Sequence, residues 1–135
     1  MIEDNYNHIT VITVTYNSEK IIDRCLKSVP KNCKKIVIEN SRNDNFIDSL
    51  KKKNYRNLKI IKPKKNLGFG GGFNLGFKLT KTKYAFAISP DVFLKKNTLK
   101  EFNKSIKKLK DDFYLLSPNI NNSKYKKEIW NKNNN

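Results

Sequence analysis

The chain is poor in cysteine, arginine, acidic residues and long apolar runs, and each shortage closes off a class of function. Its two cysteines, Cys25 and Cys33, have seven residues between them, and the sequence holds one histidine. That excludes a zinc site and a thioredoxin-type motif. Cys25 falls on an apolar helical face with Ile21, Ile22, Leu26 and Val29, so core packing is its expected role, and Cys33 reads as an inert loop thiol. No apolar stretch approaches the ~20 residues needed to span a bilayer. The opening Met1-Ile2-Glu3-Asp4-Asn5 is acidic and polar where a signal peptide is basic and then apolar, so a cytoplasmic location is expected. Acidic residues number 12 against 29 Lys and Arg, for a net charge of +17. Such a balance suits nucleic acid or an anionic membrane surface. The excess is nearly all Lys, spread over every segment and accompanied by abundant Asn. Arg, the better reader of bases and phosphates, occurs only at positions 24, 42 and 56. Compositional bias is therefore preferred to a polyanion site, nucleic acid is disfavoured, and peripheral attachment at the inner face of a membrane stays open.

What the chain does have is a regular alternation of apolar clusters. At 135 residues it supports one core. Ile9 to Thr15 reads as a buried strand, Ser18 as the cap of a helix from Glu19 to about Ser28, and Pro30 as its stop. Strands are expected at Lys35 to Glu39, Leu58 to Ile61, Tyr84 to Ser89 and Phe113 to Leu116. Helices are expected near Asn45 to Lys53, after a glycine turn up to Thr80, and from Asn97 or Thr98 through Leu99, Phe102, Ile106 and Leu109. This rhythm gives a three-layer α/β/α fold with a mostly parallel sheet. The domain is expected to cover residues 1–118, with 119–135 a polar Asn/Lys-rich tail in which Ile129-Trp130 anchors back on the domain or docks a partner.

In an open α/β sheet, ligands collect at the carboxyl ends of the strands. The polar segments there are Thr15-Tyr16-Asn17, Glu39-Asn40-Ser41, Lys64-Lys65-Asn66 and Ser89-Pro90-Asp91, taken here as one site. The turn Gly68-Phe69-Gly70-Gly71-Gly72 lets backbone approach a phosphate, and some twenty residues on, Asp91 supplies a carboxylate for a metal. A dinucleotide fingerprint belongs after the first strand, whereas these glycines follow the third, and no G-x-x-x-x-G-K-[ST] exists. Taken singly, Asp91 is as well explained as a turn residue, Glu39 as a lysine partner and the glycines as helix–sheet packing.

Together and in this order, these segments resemble the family 2 glycosyltransferases of the GT-A fold, particularly the rhamnosyltransferase-like members. The matching pieces are Val14-Thr15-Tyr16-Asn17-Ser18-Glu19, then Ile36-Val37-Ile38-Glu39-Asn40-Ser41 with Asp44, Asn66-Leu67-Gly68 through Gly76, Ile88-Ser89-Pro90-Asp91, and Ser117-Pro118. The resemblance implies that Thr15, Tyr16 and Asn17 border the base and ribose of a nucleotide-sugar donor, with Ser41 beside them. Glu39, where the family usually has Asp, would accept a hydrogen bond from the base imide, which leaves UDP- and dTDP-sugars both open. Asn66, Gly68, Gly70 and Asn74 would line the ribose and diphosphate. Asp91 would hold Mg²⁺ or Mn²⁺ between the phosphates, with Ser89 where the family carries Asp or Asn.

The family's catalytic base lies well downstream of that carboxylate, and this chain runs only 44 residues past Asp91. Glu128 is the only acidic residue beyond Pro118 and reads as a solvated charge, so no base is assigned. Three readings follow. The chain is a glycosyltransferase domain serving a saccharide or lipid-linked acceptor; or a donor-binding module whose acceptor half comes from a partner chain; or a basic protein whose ligand is nucleic acid or membrane.

Overall fold

The computed structural model describes residues 4–110 and 112–118; the expected tail and its Ile129-Trp130 anchor lie outside the described residues. Four strands, β1 (Ile9–Thr15), β2 (Lys34–Glu39), β3 (Leu58–Ile61) and β4 (Tyr84–Ala87), form one sheet in the order β3-β2-β1-β4. All three pairings are parallel, with Ile12 opposite Ile36 on one side and Ala87 on the other. Parallel strands need crossovers, and the helices α1 (Ile22–Ser28), α2 (Asp44–Lys52) and α3 (Gly68–Leu79) supply them. A fourth helix, α4 (Thr98–Leu109), follows β4.

Both faces of the sheet are covered, which is why β1 is an unbroken β-branched run with every residue buried. Ile9, Val11 and Val37 pack with Ile22, Cys25, Leu26, Phe46, Leu50 and Leu99, from α1, α2 and α4. Ile12, Val14, Ile36 and Ile38 pack with Phe73 of α3 on the opposite face. The expected three-layer α/β/α architecture is the one observed. None of the helices among the described residues is long and apolar enough to cross a membrane.

Four details differ from the sequence expectation. Ser18 does not cap α1: its hydroxyl folds back on the Tyr16 backbone, accepting from the amide and donating to the carbonyl at 3.1 Å, while its own carbonyl takes the amides of Ile21 and Ile22. That local turn consumes the residues meant for the first helical turn, so α1 starts at Ile22. The glycine segment is not a loop but the opening of α3, because Gly72 and Gly76 let this helix lie directly on β1. A Cβ at Gly72 would stand 2.7 Å from Val14 Cγ1, and one at Gly76 would stand 2.4 Å from Ile12 Cγ2. Strand β4 stops at Ala87, since Ser89 to Val92 turn away. Phe113 to Leu116 is not a strand: Phe113 stacks on Tyr84 with ring centroids 6.1 Å apart, and Tyr114 and Leu115 are exposed. Side-chain stacking there replaces a ladder along the β4 edge.

Candidate donor site

The carboxyl ends of β1 and β2 are held by a buried polar cluster. Glu39 ends β2 with no solvent exposure, and Thr15, equally buried, donates to its Oε2 at 3.1 Å. The Ser41 amide donates to Glu39 Oε1 at 2.6 Å, and the Ser41 hydroxyl bonds the same oxygen. Both carboxylate oxygens thus have donors inside the protein, which is what a buried carboxylate requires. Thr15 and Glu39 are thus fully buried and bonded to each other, with the half-buried Ser41 bonded to Glu39. Tyr16 is 60% exposed at the β1 end. Asn17 follows with φ 49° and donates its amide to the Ser41 hydroxyl at 3.4 Å. Asn tolerates that left-handed backbone better than most residues.

Asn40, expected in the site only as part of the Glu39-Asn40-Ser41 segment, joins this cluster to the glycine segment. It is buried; its Nδ2 donates to the Gly68 carbonyl at 2.8 Å and its Oδ1 accepts from the Leu67 amide at 3.2 Å. One side chain thereby closes the amide end of α3 against the end of β2. Asn66 completes the turn by accepting from the Gly68 amide at 2.8 Å. Gly68 has φ +69°, a conformation that explains its identity. Asn40 follows Ile36-Val37-Ile38 and the polar Glu39 at the end of β2, but its partners are 27 and 28 residues away in sequence.

A Cβ built on Gly70 meets nothing within 4 Å. Packing therefore does not require glycine there, in contrast to Gly72 and Gly76. Gly70, Asn74 and Ser89 line one open groove of about 450 Å³ together with Phe69, Phe73, Phe77, Ala87 and Ile88. Three expected site residues, separated by up to nineteen positions, meet in it. It is not the largest hollow: one of about 580 Å³ runs along the β4 edge, lined by Phe86, Phe102, Ile106 and Phe113. That hollow has none of the expected site residues.

Past the groove, Pro90 and Asp91 form the corner of a turn closed by the Val92 amide on the Ser89 carbonyl at 3.1 Å. Proline's fixed φ suits its place in that corner, and Asp91 beside it is exposed. Burial pushes the Cys25 thiol up to about 11, and the nearby Asp91 charge adds to the shift. The described residues include no group of three His, Cys, Asp or Glu side chains able to hold a metal alone.

Glycosyl transferase family 2 matches this sequence over residues 10–134. The chain belongs to that family. Among solved structures it is similar to S. aureus TarS 1–349, with 29% identity and a TM-score of 0.65 over 74% of this chain. It is also similar to S. aureus TarS 1–349 in complex with UDP, with 29% identity and a TM-score of 0.64 over 74% of this chain. The chain spans 32% of the length of each of those two structures. No curated protein matches it. The four-stranded parallel sheet and its helices are those of a GT-A glycosyltransferase; the rhamnosyltransferase-like subtype is a finer matter.

Proposed function

We propose that this glycosyltransferase domain binds a UDP- or dTDP-sugar at the carboxyl ends of β1, β2 and β4, for transfer of a hexosyl or rhamnosyl group to a saccharide or lipid-linked acceptor. The observation that carries the reading is the meeting of Gly70, Asn74 and Ser89 in one groove, with the Asp91 turn at the end of the same strand. Gly70 is open on its Cβ side, so a diphosphate can approach the first turn of α3 past Gly68, the Leu67 and Gly68 amides being held by Asn40 and Asn66. A relative solved with UDP supports the same ligand class.

In this reading Tyr16 offers its exposed ring to the base. Glu39 acts through Ser41 and Thr15, fixing the crevice floor. Asn40 and Asn66 hold the turn that presents the α3 amides, and Asn74 and Ser89 face the sugar-phosphate. The hard oxygen donors at 89 and 91 fit Mg²⁺ or Mn²⁺ only when a diphosphate supplies further oxygens, since a single carboxylate is present. A metal bound there would stabilise charge on the departing diphosphate.

The base and the acceptor pocket are assigned to sequence outside this chain, in a continuation or a partner. The 29 cationic side chains suit the domain to the anionic surface where a lipid-linked acceptor would reside. The test is release of nucleoside diphosphate from UDP- and dTDP-sugars, with and without saccharide acceptors. Slow, acceptor-independent release by the isolated chain is expected. Acceptor-dependent turnover at roughly 1 per second or faster would refute the assignment of the base elsewhere, and absence of any donor binding would refute the donor site.

A further inference from the structure

The Asp91 turn does not stand alone; residues on both sides of it are fastened to one face of α1. Before Asp91, the Cys25 thiol points at the Ser89 carbonyl at 3.8 Å. After it, the Arg24 guanidinium lies over the Phe93 ring, 3.7 Å from the centroid, and the Ser28 hydroxyl accepts from the Leu94 amide at 2.9 Å. The same hydroxyl donates to the Cys25 carbonyl at 2.6 Å, so its orientation is fixed from within the helix. Helix α1 is itself anchored from the other side, where Asp23 pairs with Lys53 at 2.7 Å and accepts from the Tyr55 hydroxyl. Phe93 is 46% exposed, so its place is not set by burial in the core. A turn with so little burial of its own takes its position from the element it touches.

We infer that α1 sets the position of the Asp91 carboxylate, with Arg24 and Ser28 as the positioning residues for the metal-bearing diphosphate. The inference rests on the reading that Asp91 holds the donor's metal. Neither residue bonds the carboxylate itself. Each fixes backbone or ring within three residues of it, and a metal site responds to displacements of well under an ångström.

The test titrates the whole chain with UDP, in Mn²⁺ and in excess chelator, and reads the ratio of the two affinities. The variants are Ser28→Ala, Arg24→Ala, their combination, Arg24→Lys and Asp91→Asn, each checked for native circular dichroism. The combined variant is expected to lose on the order of tenfold in the ratio while its affinity in chelator stays at the parent's value, as befits one hydrogen bond and one cation–π contact. Arg24→Lys is expected to stay close to the parent, because an ammonium also sits favourably over a ring. If the combined variant fails to fold, Ser28→Ala, which removes one oxygen, carries the test with a smaller loss in the same ratio. An unchanged ratio, an equal loss with and without Mn²⁺, or an Arg24→Lys as weak as Arg24→Ala overturns the inference. A ratio that collapses in Asp91→Asn but holds in the combined variant removes the role of α1 and leaves the metal reading. A ratio that holds in Asp91→Asn removes both.

Discussion

Replacing Gly70 and Gly76 in turn tests whether Gly70 serves the proposed ligand while Gly76 serves packing. Both lie in α3, where alanine gains roughly 0.5–1 kcal/mol over glycine from backbone entropy alone. At Gly70 nothing opposes that gain, since a Cβ has no neighbour within 4 Å. Gly70→Ala is therefore expected to stabilise by about 0.5–1 kcal/mol, a rise in Tm of roughly 2–5 °C for a chain of this size. At Gly76 the new methyl would stand 2.4 Å from Ile12 Cγ2, a fully buried side chain in the central strand. Forcing a methyl into such a contact costs about 1–3 kcal/mol, and more where neighbours cannot move. After the helix-propensity gain, Gly76→Ala is expected to lose roughly 1–2 kcal/mol and several degrees of Tm. Thermal unfolding by circular dichroism reads both, and UDP titration then distinguishes their ligand roles. Gly70→Val, folded, is expected to bind UDP more weakly because its branched side chain occupies the groove. Gly76→Ala, once folded, is expected to bind as the parent does. A lower Tm for Gly70→Ala, or a Gly76→Ala as stable as the parent, would refute the packing argument. Unchanged UDP affinity in Gly70→Val would remove this glycine from the donor site.

Further outcomes follow from other buried groups. The Thr13 hydroxyl is buried without a hydrogen-bond partner among the described residues, so Thr13→Val is expected to stabilise by about 1 kcal/mol in urea unfolding; a loss would show that the hydroxyl is satisfied. Asn40→Ala removes both bonds to the Leu67–Gly68 turn and is expected to cost about 1–3 kcal/mol and to weaken UDP binding; unaltered stability would deny its bridging role. Burial pushes the thiols of Cys25 and Cys33 each up to about 11, so both should resist a disulfide reagent at pH 8 until denaturant is added. By the same shift, stability should fall as the pH rises above about 9, where unfolded thiols ionise and buried ones keep their protons. Rapid labelling of the folded chain would contradict the burial of either cysteine.

The fold was legible because its signals are local and repeated. The buried run Ile9–Thr15, the apolar Ile36-Val37-Ile38 and the helical spacing of Phe46, Ile47 and Leu50 each report two-sided or one-sided burial directly. What the sequence hid depends on competition between neighbouring groups or on partners far along the chain. Ser18 looks like a helix cap until the Tyr16 backbone claims its hydroxyl. Phe113 to Leu116 has strand composition, yet Phe113 spends its ring on Tyr84. The glycines are close in sequence and divide in space, with Gly72 and Gly76 against β1 and Gly70 facing open groove. The order of the polar strand ends pointed to the candidate site, while the burial of Thr15 and Glu39 required the β1–β2 register and the bridging by Asn40 the docking of the Leu67–Gly68 turn.

One comparison tests the donor site most directly: calorimetric titration of UDP into the parent chain and into Asp91→Asn, each in Mn²⁺ and in excess chelator. Asp91 is exposed at a turn outside the core, so the variant should fold and melt as the parent does. Mn²⁺ is expected to strengthen UDP binding to the parent, and Asp91→Asn to abolish the gain. Equal affinity in Mn²⁺ and chelator for the parent, or a full Mn²⁺ gain in a folded Asp91→Asn, would contradict that expectation.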